Sequence, residues 1–418
     1  MTLTDEHISG LRAMFPALSR EINGKPAVFF DGPAGTQVPQ SVIDAISSYL
    51  ASSNANHGGL FATSRVSDEI LEQAHRDAAW MLGAKDAFCV AFGANMTSLT
   101  FSLSRALART WKPGDEIVVT RLEHDANFTP WALAARDAGA TIRMVDIHPE
   151  DCTLDLDDFR SKINENTKLV AVGCASNAVG TINPVKEICG WAREVGALSF
   201  LDAVHYAPHA LIDVADWGCD FLACSAYKFF GPHVGILYGR QELLESIQPY
   251  KLRPAPDDLP GRWMTGTQNH ECIAGTLAAI EYLTEIGFDL EVDHMLPRRD
   301  ALQTAFKAVG DYERELVGRL IAGLQETKGV KIYGITDPSR FDERLPTLSF
   351  TRPSLSSREI ARRLGEQGIF VWHGNYYALP LTETLGVESD GMVRVGIVHY
   401  NTADEVDRLL EALREILA

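Results

Sequence analysis

The feature that most limits what this chain can become is a series of short apolar runs between residues 85 and 240 that lack polar alternation. Seven strands are predicted there, at 87–91, 116–120, 141–146, 168–173, 197–201, 220–224 and 234–238. A strand that is apolar at every position is buried on both faces, and helices layered above and below a sheet provide that burial. Amphipathic segments of helical length, such as 127–138 and 184–195, separate most of the strands. The pattern predicts an α/β domain built on a seven-stranded, mostly parallel, doubly wound sheet. The connection 228–233 is too short for a helical crossover, so the last strand is predicted to be an antiparallel edge strand.

At 418 residues the chain exceeds one ordinary core. After residue 285 the pattern changes to a long charged helix at 291–326, sparse strands at 330–333, 347–350, 368–372 and 392–398, and helices at 357–367 and 403–417. This predicts a large domain over 26–285 and a smaller C-terminal α+β domain over 286–418, with residues 1–25 packing on the latter. The Pro- and Asp-rich stretch 253–261 reads as a surface loop before the boundary.

The formal charge of −18 argues against broad binding to nucleic acid or anionic membranes. No apolar run reaches the ~18 residues of a membrane span, and the N-terminus lacks a basic region followed by an apolar one. The seven cysteines form no Cys-x-x-Cys pair, so reduced thiols in a cytoplasmic protein are expected and a metal site is not. Cys89, Cys174 and Cys224 fall in apolar runs and read as small buried hydrophobes.

In an open α/β sheet, ligands bind at the carboxyl ends of the strands, so the residues just beyond each strand carry the chemistry. Ala94 and Asn95 follow the first strand and open a helix, either as a tight turn with an N-cap or as an anion cradle. His124 follows the second strand, either as a polar loop residue or as a flat imidazole stacked on an aromatic cofactor. Asn177 follows the fourth, able to hydrogen-bond a phenolic oxygen. Asp202 follows the fifth, as a helix cap or as the ionised partner of a pyridinium nitrogen, with His205 just beyond it. Lys228 follows the sixth, within Ser225-Ala226-Tyr227-Lys228. A Ser-x-x-Lys acyl-transfer site would need Ser-Asp-Asn and Lys-Thr-Gly companions, and these are absent.

Together with Phe29-Phe30-Asp31-Gly32-Pro33-Ala34, Glu123-His124-Asp125-Ala126-Asn127, Ser176-Asn177-Ala178-Val179-Gly180, Gly266-Thr267-Gln268-Asn269 and Arg394, these residues resemble the class V aminotransferase superfamily. Its members are pyridoxal 5'-phosphate (PLP) enzymes of fold type I, and the match is to the cysteine desulfurase-like branch. The resemblance implies Lys228 as the Schiff-base lysine that also moves the substrate Cα proton. It implies Asp202 at the pyridine nitrogen, His124 on the ring, and Asn177 and His205 near the phenolic oxygen, His205 standing where many relatives have glutamine. Ala94, Asn95, Ser225 and Tyr227 match the phosphate cup. Thr267 matches a residue reaching the phosphate from a neighbouring subunit, which implies a homodimer with shared active sites. Arg394 matches the clamp for the substrate carboxylate.

One departure alters the expected reaction. Aligned on Ala378-Leu379-Pro380, the sulfur-accepting cysteine of desulfurases is replaced by Tyr377, and residues 273–418 contain no cysteine. Cys272, beside the dimer-contact loop, is a remote substitute. A phenol carries no persulfide, so the resemblance implies amino-acid chemistry without sulfur transfer, first of all β-elimination of the C–S lyase type. Transamination or epimerisation is the alternative reading, and a non-catalytic partner protein of the same fold a remote one. Tyr377 is expected as a general acid or an aromatic wall, with His57 and Asn375 near the substrate.

Overall fold

The computed structural model describes residues 3–291 and 296–417. The seven strands of the large sheet are β1 (Val90–Gly93), β2 (Glu116–Thr120), β3 (Thr141–Val145), β4 (Thr167–Gly173), β5 (Leu198–Asp202), β6 (Phe221–Ser225) and β7 (Gly235–Gly239). They lie in the order β1-β7-β6-β5-β4-β2-β3. Central positions such as Val118, Val170, Leu201 and Leu222 are wholly buried. Burying such a Val or Leu side chain contributes about 1.5–3 kcal/mol, which explains why the sequence omits polar alternation. Helices that include Ala62–Leu82, Met96–Ala108, Val185–Glu194 and His270–Leu290 cover the sheet.

Two expectations need correction. The strand predicted at 87–91 is a 3-10 turn over Ala87–Cys89 followed by β1, because Asp86 caps the turn through the Phe88 amide. The last strand, β7, is antiparallel as expected but interior, because β1 pairs along its far side and forms the edge. Glycine at 235 makes that neighbour possible: a Cβ there would sit 2.4 Å from the carbonyl carbon of Asn95.

A second sheet of four antiparallel strands comprises β8 (Lys331–Tyr333), β9 (Thr347–Thr351), β10 (Trp372–Gly374) and β11 (Met392–Gly396), in the order β8-β9-β11-β10. The segment predicted as one strand at 368–372 is divided, since Ile369–Phe370 pairs in parallel with Val28–Phe29 before the chain enters β10. The long helix expected from 291 runs over Arg298–Gln325, and residues 292–295 of that expectation lie outside the described ones. This helix joins the two cores. Leu302, Ala305, Phe306 and Val309 pack into the core of the large sheet, and Leu316, Leu320 and Leu324 into that of the second.

Candidate active site

The carboxyl ends of β1, β2, β4, β5 and β6 open onto one cavity of about 1040 Å³, which β10, the turn at 375–377 and β11 close from the other side. Asn95, His124, Asn177, Asp202, His205, Ser225, Tyr227, Lys228, Asn375, Tyr377 and Arg394 all line it. Residues spread over 300 positions of sequence meet here because parallel strands deliver all their carboxyl ends to one edge.

One end of the cavity is the N-terminus of helix Met96–Ala108. Asn95 caps it, accepting from the Ser98 amide at 2.9 Å, and the Met96 amide donates to Ser225 Oγ at 2.9 Å. Thr97 and Ser98 add their side chains to this cradle, and the helix dipole favours an anion there. Across it the ring of Tyr227 stacks on His233, with centres 4.9 Å apart and planes 9° from parallel. Ala94 is exposed and outside the lining, so the cup begins at Asn95 instead.

Lys228 lies in the 3-10 turn after β6, and its amine donates to the carbonyl of Pro33. Burial and the nearby positive charge of Arg394 bring its pKa down to about 7, against the pull of Asp202. Asp202 accepts from the Val204 amide at 2.9 Å, and burial raises its carboxyl to about 6. His124 accepts the Ala126 amide on Nδ1 at 3.0 Å, and burial, with Lys228 and Arg394 nearby, lowers its pKa to about 4. Its imidazole is therefore neutral, with the proton on Nε2. His205 is buried, its Nε2 has no partner among the described residues, and burial drives its pKa far down.

Arg394, in β11, is only 4% exposed, and burial brings its pKa down to about 10. It donates through Nη1 to the Asn177 carbonyl at 2.8 Å, while its Nε is buried without a partner among the described residues. Tyr376 and Tyr377 both hold a left-handed backbone, with φ of 56° and 60°. Non-glycine residues rarely take that conformation, and adjacent cases cluster where a turn must present side chains in a fixed way. Tyr377 remains 71% exposed, whereas Tyr376 is buried. Asn375 holds this turn, donating to Glu388 at 3.0 Å and accepting from the Tyr377 amide at 3.2 Å.

His57 and Thr267 do not join the others: both are exposed and outside the lining, and His57 packs its ring 6.1 Å from that of His270. The sequence reading also missed contributors. Glu123 is a buried acid behind the cavity, accepting from Thr120 at 2.6 Å and Asn127 at 2.7 Å, with its pKa raised to about 7 by burial. It adjoins His124 in sequence, and a glutamate three residues beyond an apolar strand was its only signal. Tyr376, Trp372 and Phe101 are further lining residues whose aromatic character gave no distinguishing mark. Among the described residues no group of three His, Cys, Asp or Glu side chains is placed to hold a metal.

The unpartnered polar atoms Arg394 Nε, His205 Nε2 and Asn177 Oδ1, the anion cradle and the low-pKa amine together suit a flat, anionic aldehyde. Those groups fit PLP, and fold and cavity are those of a fold type I PLP enzyme. Residues 28–409 match the class-V aminotransferase family, to which the chain belongs, and this family uses PLP. The chain is 32% identical to a cysteine desulfurase of Serratia proteamaculans, with 98% of each chain covered. It is 28% identical to the apo structure of a cysteine desulfurase from Thermococcus onnurineus, with a TM-score of 0.87 over 98% of both chains. An Escherichia coli cysteine desulfurase structure superposes with a TM-score of 0.84 at 25% identity, covering 98% of this chain and 99% of that one. The chain is thus a desulfurase-like PLP enzyme.

Proposed function

We propose that this protein is a PLP-dependent lyase that breaks the bond from the β-carbon to sulfur, or to a similar leaving group, in an amino acid, without a cysteine persulfide. The observation that carries the reading is the cavity's composition: a low-pKa amine, a buried guanidinium and an exposed phenol line it, and none of its lining residues is a cysteine.

The helix N-terminus at Asn95, with Ser225 and Tyr227, would hold the phosphate of PLP, and Lys228 its aldehyde. Asp202 would face the ring nitrogen, His124 the ring, and Asn177 and His205 the phenolic oxygen. When bound, PLP supplies an electron sink that makes the substrate Cα–H acidic. The chain's own groups do the rest. Arg394 fixes the substrate carboxylate through its free donor edge. Lys228, uncharged for a large fraction of time at neutral pH, takes the Cα proton on Nζ. The bond to the β-substituent then breaks, the electron pair leaving on that substituent. Tyr377 covers His124 and keeps water from that side of the pocket.

A homodimer with shared sites is part of the reading. His57 and Thr267, both expected near the ligand, are exposed and lie outside this chain's own cavity, and Leu60 and Phe61, next to His57 in sequence, are exposed as well. That arrangement favours their use by a second copy.

Incubation of the PLP-reconstituted protein with S-substituted cysteines and ordinary amino acids tests the reaction. Pyruvate, ammonia and a free thiol in equal amounts are expected. Conversion of the cofactor to its pyridoxamine form with release of a 2-oxo acid would replace the reading by transamination. Alanine with sulfur retained on the protein would overturn it in favour of desulfuration.

A further inference from the structure

Arg394, Asn177 and Tyr376 form a closed ring of contacts. Arg394 Nη1 donates to the Asn177 carbonyl at 2.8 Å. The Asn177 side-chain amide donates to the Tyr376 carbonyl at 2.9 Å. The guanidinium carbon of Arg394 lies 4.2 Å from the centre of the Tyr376 ring, within cation–π range. The Tyr376 hydroxyl donates to the Met392 carbonyl in the same strand as Arg394, so the ring is pinned at both ends. The left-handed backbone of Tyr376, φ 56°, belongs to the turn that buries this ring while leaving that of Tyr377 exposed.

The ring of contacts leaves two atoms over. Arg394 Nε is a buried donor without a partner, and Asn177 Oδ1 is a buried acceptor without one, among the described residues. The amide orientation is set, because turning it over would press Oδ1 against the Tyr376 carbonyl. With Nη1 spent and one face of the guanidinium covered, the Nε edge is the side of Arg394 left to take a carboxylate. A carboxylate matches two parallel N–H donors on such an edge.

We infer that Tyr376 is a positioning residue for the substrate: its ring holds one face of Arg394, and its carbonyl holds Asn177, whose own carbonyl takes Arg394 Nη1, so that the guanidinium offers its Nε edge, a pairing of ring and guanidinium that selects an α-amino acid with its carboxylate free. The inference rests on the reading of the protein as an amino-acid enzyme. Phosphonates and sulfonates, with three tetrahedral oxygens, and amines without the carboxylate fit this pairing less well.

The test is equilibrium binding to the PLP-loaded protein, followed by the change in its visible absorption, for an α-amino acid and for the corresponding amine without the carboxylate. Tyr376→Met, which removes the ring but keeps the bulk, is expected to weaken the amino acid about tenfold and to leave the amine within about twofold. Tyr376→Phe keeps the ring and is expected to stay within about threefold of the parent for both ligands. Thermal unfolding of each variant reports whether the fold survives; if Tyr376→Met does not fold, Tyr376→His, with a smaller ring, replaces it and is expected to fall between the other two. Equal weakening of amino acid and amine, or no weakening, would overturn the inference alone. A parent protein that gives no saturable response to any amino acid would overturn the functional reading and this inference with it.

Discussion

The ring of Tyr377 lies over that of His124, with centres 5.4 Å apart and planes 30° from parallel, and the Asp125 amide donates to the Tyr377 carbonyl at 2.7 Å. The turn at 375–377 is thus tied, by a ring and by a backbone bond, to the residue expected to stack on the cofactor. A phenol held this way acts through its ring. Tyr377→Phe should therefore leave kcat for β-elimination within about threefold, while Tyr377→Ala should lower it about tenfold, the size of one aromatic pair. Steady-state kinetics separates the cases. A loss of a hundredfold in Tyr377→Phe would make the hydroxyl the proton donor to the leaving group.

Lys228 should be reactive at neutral pH. Burial, and then the charge of Arg394, hold its pKa at about 7, well below the ordinary 10.5. In the cofactor-free protein, reductive labelling of Lys228 by an aldehyde should rise with pH to a midpoint near 7, read by peptide mass spectrometry. Arg394→Leu removes a like charge and should move that midpoint upward. Asp202→Asn removes the attracting carboxylate and should move it downward. A midpoint unmoved by either substitution would mean that the three groups do not share one electrostatic environment.

What could be read in the sequence was what repeats. β2, β4, β5 and β6 are buried almost throughout, so their composition marked them, whereas β3 lies at the sheet edge with Thr141 and Arg143 exposed. The rule that ligands gather at the carboxyl ends of such strands led to His124, Asn177, Asp202 and Lys228. Features set by a single long-range contact could not be read. The interior place of β7 depends on the missing Cβ of Gly235 against Asn95, and a glycine beside a turn looks the same in many other settings. Tyr376 and Tyr377 are identical neighbours, yet one is buried on Arg394 and the other exposed on His124. The left-handed backbone they share sends their rings to different sides of the turn, and no glycine or asparagine at either position announces it. Residues 57 and 267 fell outside this chain's cavity: Thr267 was expected to act from a neighbouring subunit, whereas His57 was expected near the substrate and packs instead near His270.

Acid should destabilise the protein partly through His75. Its ring is buried against Phe92, with Nδ1 3.0 Å from the Val90 carbonyl, and burial lowers its pKa from 6.5 to about 4. The unfolded chain takes up a proton on this histidine below about pH 6.5, and the folded chain does so only below about 4. The stability it contributes is therefore complete above 6.5 and lost as the pH falls through that window, by about 3 kcal/mol in all. His75→Gln keeps a donor for Val90 and does not titrate. In urea unfolding, the stability difference between parent and variant should change by that amount from pH 7.5 to pH 4, while groups common to both cancel. A difference that stays constant with pH would show that His75 is not the titrating group.

Glu313 lies on the helix shared by the two cores, is 1% exposed, and has one oxygen 2.8 Å from His209 Nδ1 and the other without a partner among the described residues. His209 in turn packs its ring 5.5 Å from that of His205, so this pair supports the loop that carries a cavity residue. Burial raises the Glu313 pKa, so its charge persists only while His209 and the surrounding donors offset the desolvation. His209→Leu leaves a buried carboxylate without its partner and should cost about 3–5 kcal/mol. Glu313→Leu leaves a buried imidazole N–H unpaired, which costs less, about 1–3 kcal/mol. The double substitution removes both polar groups and should be less destabilised than His209→Leu alone, because no orphaned group remains. Urea unfolding of the three variants measures this directly. Additive losses in the double variant would mean that the two side chains hold the loop independently, and that the bond between them adds nothing to the fold beneath the cavity.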